Sequence, residues 1–241
     1  MGNNRGKLQM NMRKQTWKAA VSAAAMCVAA AAPALADTYA YKVQYLQSSG
    51  VQHIDTGVVP DRNTMFRGSY EYLGTAGSKA NYDMIAACTA PRYYPVSLNS
   101  ASATHVLNER YVSYNDTPSQ AHPYRTRHTI VFNDVLHRVF VDNKYISTFT
   151  TGFTGASHTC YLFASNNNNN KAAYHSKARI YWCEFTDTAT GTVLRRFIPV
   201  VDENGKPAMF DEINEKLYYN LGTGADFTAG LRCQHRDGDV A

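Results

Sequence analysis

The sequence predicts an all-β fold, a two-sheet antiparallel β-sandwich, and three observations carry that prediction. Short runs of β-branched and aromatic residues recur along the chain, Gly, Asn, Asp and Pro break them, and no sustained helical periodicity competes. In "HTIVFNDVLHRVFVDNKYISTFTT", Ile130 and Phe132 point one way, Val139 and Val141 share a face of the next strand, and Asp142-Asn143-Lys144 supplies turn residues before Tyr145. These are consecutive antiparallel strands. "RRFIPVVDENGKPAMFDE" repeats the pattern with Asn204-Gly205 as its turn, and Pro199 and Pro207 limit where the ladder can run. In "FDEINEKLYYN", Phe210, Ile213 and Leu217 have helical spacing. A hairpin is the better reading, because no cap or glycine brackets a helix there.

The N-terminus is set apart from this pattern. Arg5, Lys7, Arg13, Lys14 and Lys18 precede an apolar stretch from Ala19 to Ala32, and Ala34-Leu35-Ala36 forms an A-x-A site. Residues 1–36 are therefore expected to be a helical signal peptide cleaved before Asp37, giving a secreted product, periplasmic or extracellular. The apolar run is too short to span a bilayer, and no later segment qualifies, so no membrane span is expected. Those five cations account for the whole excess of 24 basic over 19 acidic residues. The remainder is neutral, with no basic field for nucleic acid. It is expected to form one domain over 37–232 and a polar tail over 233–241, with 17 tyrosines and 10 phenylalanines to fill a core.

Four cysteines follow the signal peptide, and an exported chain meets conditions in which thiols pair. Cys160 and Cys183 lie symmetrically about the middle of the asparagine-rich insert between them, so a hairpin in that register would place them opposite one another as a disulfide. Cys88 and Cys233 would be the other pair. Unpaired buried cysteines are the competing expectation. His158, Cys160, His175 and Cys183 cluster in sequence without the spacing of a zinc finger or ribbon.

Three stretches, taken in order, carry a family resemblance. "YLQSSGVQHIDTGVVPDRNT" opens the domain, "RVFVDNKYISTF" and "CYLFASNNNNNKAAYHSKARIYWCEF" occupy its middle, and "GTVLRRFIPVVDENGKPAMFDEINEKLYYNLGTGADFTAG" closes it. Over residues 41–231 the chain resembles the concanavalin A-like lectin/glucanase (laminin-G-like) jelly-roll domains of exported bacterial and phage tail proteins. The resemblance implies a jelly roll with adjacent terminal strands and a role in carbohydrate or surface recognition. The fold alone does not fix the function.

The glucanases of that superfamily carry E-x-D-x-E on one strand, because alternate residues share a face. This sequence lacks the pattern: Asp202-Glu203 and Asp211-Glu212 are adjacent pairs expected to be solvated turn acids, and Glu184 has no carboxylate two residues away. No G-x-S-x-G elbow is present either. No catalytic residue is assigned. No cofactor is expected beyond a possible calcium ion, for which Asp55 and Asp202 are the candidate ligands by chemistry. Sugar binding without catalysis needs flat aromatic faces beside amides, carboxylates and guanidinium groups. Two loops have that mixture, one with Arg92, Tyr93 and Tyr94, the other with Tyr111, Tyr114, Asn115 and Asp116. The expected function is a non-catalytic module binding an extracellular glycan or cell-surface ligand. A divergent glycoside hydrolase with carboxylates from different strands, or an adhesive module without a small ligand, are the alternatives.

Overall fold

The computed structural model describes residues 37–74, 82–89, 92–99, 112–113, 125–149, 153–167 and 171–234. The expected signal peptide, Tyr111, Tyr114, Asn115, Asp116 and the tail after Gln234 lie outside the described residues. What is described is all-β and contains no helix. The strands are β1 Tyr41–Lys42, β2 Leu46–Ser49, β3 Ile54–Asp55, β4 Thr64–Tyr72, β5 Tyr82–Thr89 and β6 Arg92–Asn99. They continue with β7 Val112–Ser113, β8 Arg127–Phe132, β9 Arg138–Val141, β10 Lys144–Phe149, β11 Tyr161–Leu162 and β12 Ser165–Asn167. The last six are β13 Lys171–Ala173, β14 Lys177–Asp187, β15 Thr192–Val201, β16 Pro207–Asp211, β17 Lys216–Tyr218 and β18 Thr228–Ala229.

Two sheets pack on one another. The larger has the order β17-β16-β15-β14-β4-β8-β9-β10-β7, with β1 on β15 and β2 between β14 and β18. The smaller has the order β13-β12-β5-β11-β3, with β6 also on β5. Period-two alternation builds the space between them. Phe66, Tyr70 and Tyr72 of β4, Ile130 and Phe132 of β8, and Val139 and Val141 of β9 face inward from the large sheet. Ile54, Ile85, Ala86, Val96 and Leu162 face them from the small one. Aromatic contacts join the layers, with Tyr93 and Phe132 centroids 5.4 Å apart and Phe163 and Phe227 4.9 Å apart.

The predicted hairpins form. Ile130 pairs with Val141 and Phe132 with Val139, and Asp142 and Asn143 take left-handed φ angles of 49° and 62° in the next turn. Gly205 turns β15 into β16 at φ 80°, where a side chain would be strained, and the β16–β17 pair replaces the rival helix. The asparagine run differs from expectation. Its first two residues, Asn166 and Asn167, belong to β12, which pairs antiparallel with β13, Ser165 opposite Ala173 and Asn167 opposite Lys171, while the flanking β11 and β14 go to different sheets. Cys160 and Cys183 therefore do not face each other across a ladder, and both are free thiols. That removes the register from which the disulfide was expected, since β11 lies in one sheet and β14 in the other and the two cysteines are not cross-strand neighbours.

The opening motif is explained by one buried amide. Gln52 Oε1 accepts from Ser48 Oγ at 3.0 Å, Ser49 N at 2.8 Å and Ser49 Oγ at 3.1 Å, while its Nε2 donates to Ala225 O at 2.9 Å. It ties the first turn of the domain to its last loop. Replacing Gln52 with Ala removes the acceptor shared by the Ser48 hydroxyl and the Ser49 amide and one of the two donors to the Ala225 carbonyl, and should cost roughly 1–3 kcal/mol. Urea unfolding of Gln52→Ala against wild type checks this, with the midpoint falling and the m-value unchanged.

Candidate functional site

β14 positions the most chemically organised surface. β4 runs along one of its edges from Tyr72 to Thr64. The other edge changes partner, with β2 on Lys177 to Ile180 and β15 on Cys183 to Asp187. Between these halves the register against β4 shifts: Ile180 pairs with Tyr70 and Trp182 with Ser69, leaving Tyr181 as an extra residue. A bulge of this kind reverses the alternation of everything beyond it. Arg179 and Glu184, an odd number of residues apart, consequently face the same outer surface.

Two transverse rows result. In the first, Gln47 of β2, Arg179 of β14, Glu71 of β4 and Arg127 of β8 lie side by side. In the second, Arg196 of β15, Glu184 of β14 and Arg67 of β4 do the same. Each row holds a carboxylate with a guanidinium on either side. Arg179 Nη1 donates to Glu71 Oε2 at 3.1 Å and its Nε to Gln47 Oε1 at 2.8 Å, and Tyr181 Oη donates to Glu71 Oε2 at 2.7 Å. Arg196 Nε donates to Glu184 Oε2 at 2.9 Å, and Arg67 Nη2 and the Thr186 hydroxyl both donate to Glu184 Oε1.

Aromatic faces sit on the first row. The Arg127 guanidinium lies 4.0 Å over the Tyr181 ring, Arg179 lies 4.3 Å over Tyr45, and the two tyrosine rings meet edge to face at 5.6 Å. Tyr45, Gln47, Arg179 and Tyr181 are half-buried and Arg127 is exposed. The result is a rigid patch of flat rings, forked donors and an amide, presented to solvent.

The two carboxylates do not suit glycoside hydrolysis. Glu71 and the Arg67 that faces Glu184 are four residues apart on β4, which sets the carboxylate rows about 13 Å apart along the strand. Hydrolytic pairs stand roughly 5–9.5 Å apart. Burial alone would raise the Glu184 carboxyl, yet hydrogen bonds from Arg67, Arg196 and Thr186 more than offset it and hold it below its ordinary value. A general acid needs the opposite shift.

The residues expected to bind ligand fare unevenly. Arg92, Tyr93 and Tyr94 begin β6. Tyr93 is a correction: it is fully buried, its ring meets Phe132 at 5.4 Å, and its hydroxyl donates to Thr64 O at 3.0 Å. It pins the small sheet to β4 and β8 of the large one, because an inward position of β6 needs a long side chain with a partner for its hydroxyl. Tyr94 points the other way but is 7% exposed, packed with Met84 and Ala87. The signal for the Tyr45–Tyr181 patch was absent from sequence spacing, since its members come from four strands and depend on the bulge.

The turn acids are also corrected. Asp202 and Asp211 are buried rather than solvated. Asp202 accepts from the Asn204 and Lys206 amides and from the Tyr219 hydroxyl, and Asp211 accepts from the Arg196 and Ile213 amides and the Asn214 side chain. Both serve the turns they precede. Asp55 Oδ1 accepts from Gly57 N at 2.9 Å. Among the described residues no group of three or more His, Cys, Asp or Glu is placed to hold a metal ion. No helix among them is long and apolar enough to cross a membrane. No family model, curated protein or solved structure matches the chain.

On the small sheet, His53 stacks on Tyr161 with centroids 5.0 Å apart and meets His175 edge-on at 5.7 Å. Nδ1 of His53 is buried and has no hydrogen-bond partner among the described residues. Burial, and then the neighbouring His175, lower His53 from its ordinary pKa of 6.5, and burial lowers His175 likewise. The folded chain therefore takes up protons here less readily than the unfolded chain. The imidazoles contribute stability above about pH 6.5, and that contribution is lost as pH falls from there through their lowered folded values. Thermal unfolding between pH 7.5 and 5.5 should show a falling Tm in the wild type and a smaller fall in His175→Gln.

Proposed function

We propose that this chain is an exported, non-catalytic jelly-roll module that binds a glycan or another extracellular surface ligand. The observation that carries the reading is the Tyr45–Tyr181 patch. Aromatic rings, two guanidinium groups, a carboxylate and an amide are held in fixed geometry on an outward face, which is the mixture a sugar's C–H faces and hydroxyls require. The resemblance of the domain's two ends to lectin-like jelly rolls, and the export signature, point the same way. The hydrolase alternative has less in its favour, because the two carboxylates on that face are too far apart and Glu184 is held ionised.

A glycan-array screen of residues 37–241, with and without a calcium chelator, tests the reading. Binding to at least one glycan class is expected. For that glycan, Arg127→Ala and Tyr181→Ala should each weaken binding about tenfold or more, with the Tm changed little for the exposed Arg127. Failure to bind any glycan in either condition would leave the adhesive reading in its place. Binding that ignores both substitutions would move the site off this face.

A further inference from the structure

The charges on the outer face of the large sheet do not cancel. Each transverse row holds one carboxylate between two guanidinium groups, so each carries one positive charge more than it neutralises. In the second row Glu184 bonds both Arg67 and Arg196, and the surplus is shared. In the first row it is left on one residue. Glu71 stands directly opposite Arg127 across the β4–β8 ladder, yet its Oε2 is taken by Arg179 and the Tyr181 hydroxyl. Among the described residues no carboxylate lies within ion-pair distance of Arg127. Asp142, which follows β9, is turned to the Thr129 amide and His128 Nδ1 instead.

The contacts that Arg127 does make fix its direction. Its Nε donates to Ser69 Oγ at 2.7 Å, and its Cζ rests 4.0 Å over the Tyr181 ring. One nitrogen and one face are used, and both Nη groups are left as a fork whose geometry suits an anion with two oxygens. A second cation lies on the same face. Lys177 is exposed, two residues along β14 from Arg179, with no acid partner among the described residues, and by strand spacing about 12 Å from Arg127. The chain after residue 36 is neutral overall, so this surplus is local to the face.

We propose, resting on the glycan-binding reading, that the ligand of this face is an acidic glycan. A sugar ring lies against Tyr45 and Tyr181 while an anionic substituent on it, a carboxylate or a sulfate ester, takes the two Nη groups of Arg127, and Lys177 meets a further charge along the same oligosaccharide. A neutral sugar offers the fork hydroxyls only, and hydrogen bonds between ions are roughly twice as strong. Because Arg127 is already held by Ser69 and Tyr181, little side-chain freedom is lost when the anion arrives.

The test is an array of matched pairs probed with residues 37–241: uronates and sialosides beside their carboxyl-reduced forms, and sulfated glycans beside their desulfated forms. In at least one series the acidic member should bind about tenfold or more tighter than its neutral counterpart, and the series that responds identifies the anionic group. That preference should shrink as NaCl rises from about 50 to 300 mM. In Arg127→Gln, whose Tm shows that it has folded, the ratio of acidic to neutral affinity should fall to near one. Equal binding of both members in every series that binds would overturn the proposal and leave the glycan-binding reading in place. Absence of binding to any glycan would overturn both. A preference that survives in Arg127→Gln, or equal competition by polyglutamate of matched charge, would also overturn the proposal.

Discussion

The sandwich is registered against Lys177–Asp187. This strand has one edge committed to β4 over its whole length and a second edge divided between β2 and β15, and the extra residue at Tyr181 falls where the division occurs. A strand with an unbroken pleat would send Arg179 and Glu184 to opposite faces. One of the two charged groups would then sit in the inter-sheet core, where an unpaired charge is costly. The bulge lets one strand satisfy two neighbours and keeps both charged rows outside. Gly68 lies beside the same joint, and a Cβ there would come within 3.1 Å of the Trp182 carbonyl and 3.2 Å of Cys183. A side chain at that position would push the two strands apart.

Buried carboxylates do related work at the other end of the domain. In the closing motif, Asp202 and Asp211 each gather amide donors from the turn that follows and leave few acceptor sites unused. Burial alone would raise Asp202, but the Lys206 and Asn204 amides and the Tyr219 hydroxyl hold it below its ordinary value, so it stays charged and keeps the turn closed. Carboxylates used this way look like active-site acids in a sequence. Their partners identify them as structural.

How much of this could be read beforehand depended on sequence distance. The hairpins over 127–149 and 192–218 were legible because their partners are adjacent and their turns carry Asp, Asn or Gly. The class was legible for the same reason. Tyr93 was misjudged because local composition does not say which face of β6 meets the opposite sheet. The cysteines were misjudged because symmetry about the asparagines assumed that neighbouring segments pair, while Tyr161 in fact pairs with Asp55 and Ala87. The Tyr45–Tyr181 patch was invisible, since Gln47, Glu71, Arg127 and Arg179 become neighbours only through strand order and one extra residue.

Gln52 and the terminal strands bear on when the molecule can become itself. Among the described residues, β1 has its partner in β15, β2 in β14 and β18, and β3 in β11, so the first three strands find no ladder before Tyr161. A chain built this way stays without its N-terminal edges until Tyr161 and the strands after it have been made. Only the arrival of Ala225 and the strand after it lets Gln52 close the ring of contacts between beginning and end. The same lacing that holds the finished domain shut leaves its first strands without their last partner until Thr228–Ala229 has been made.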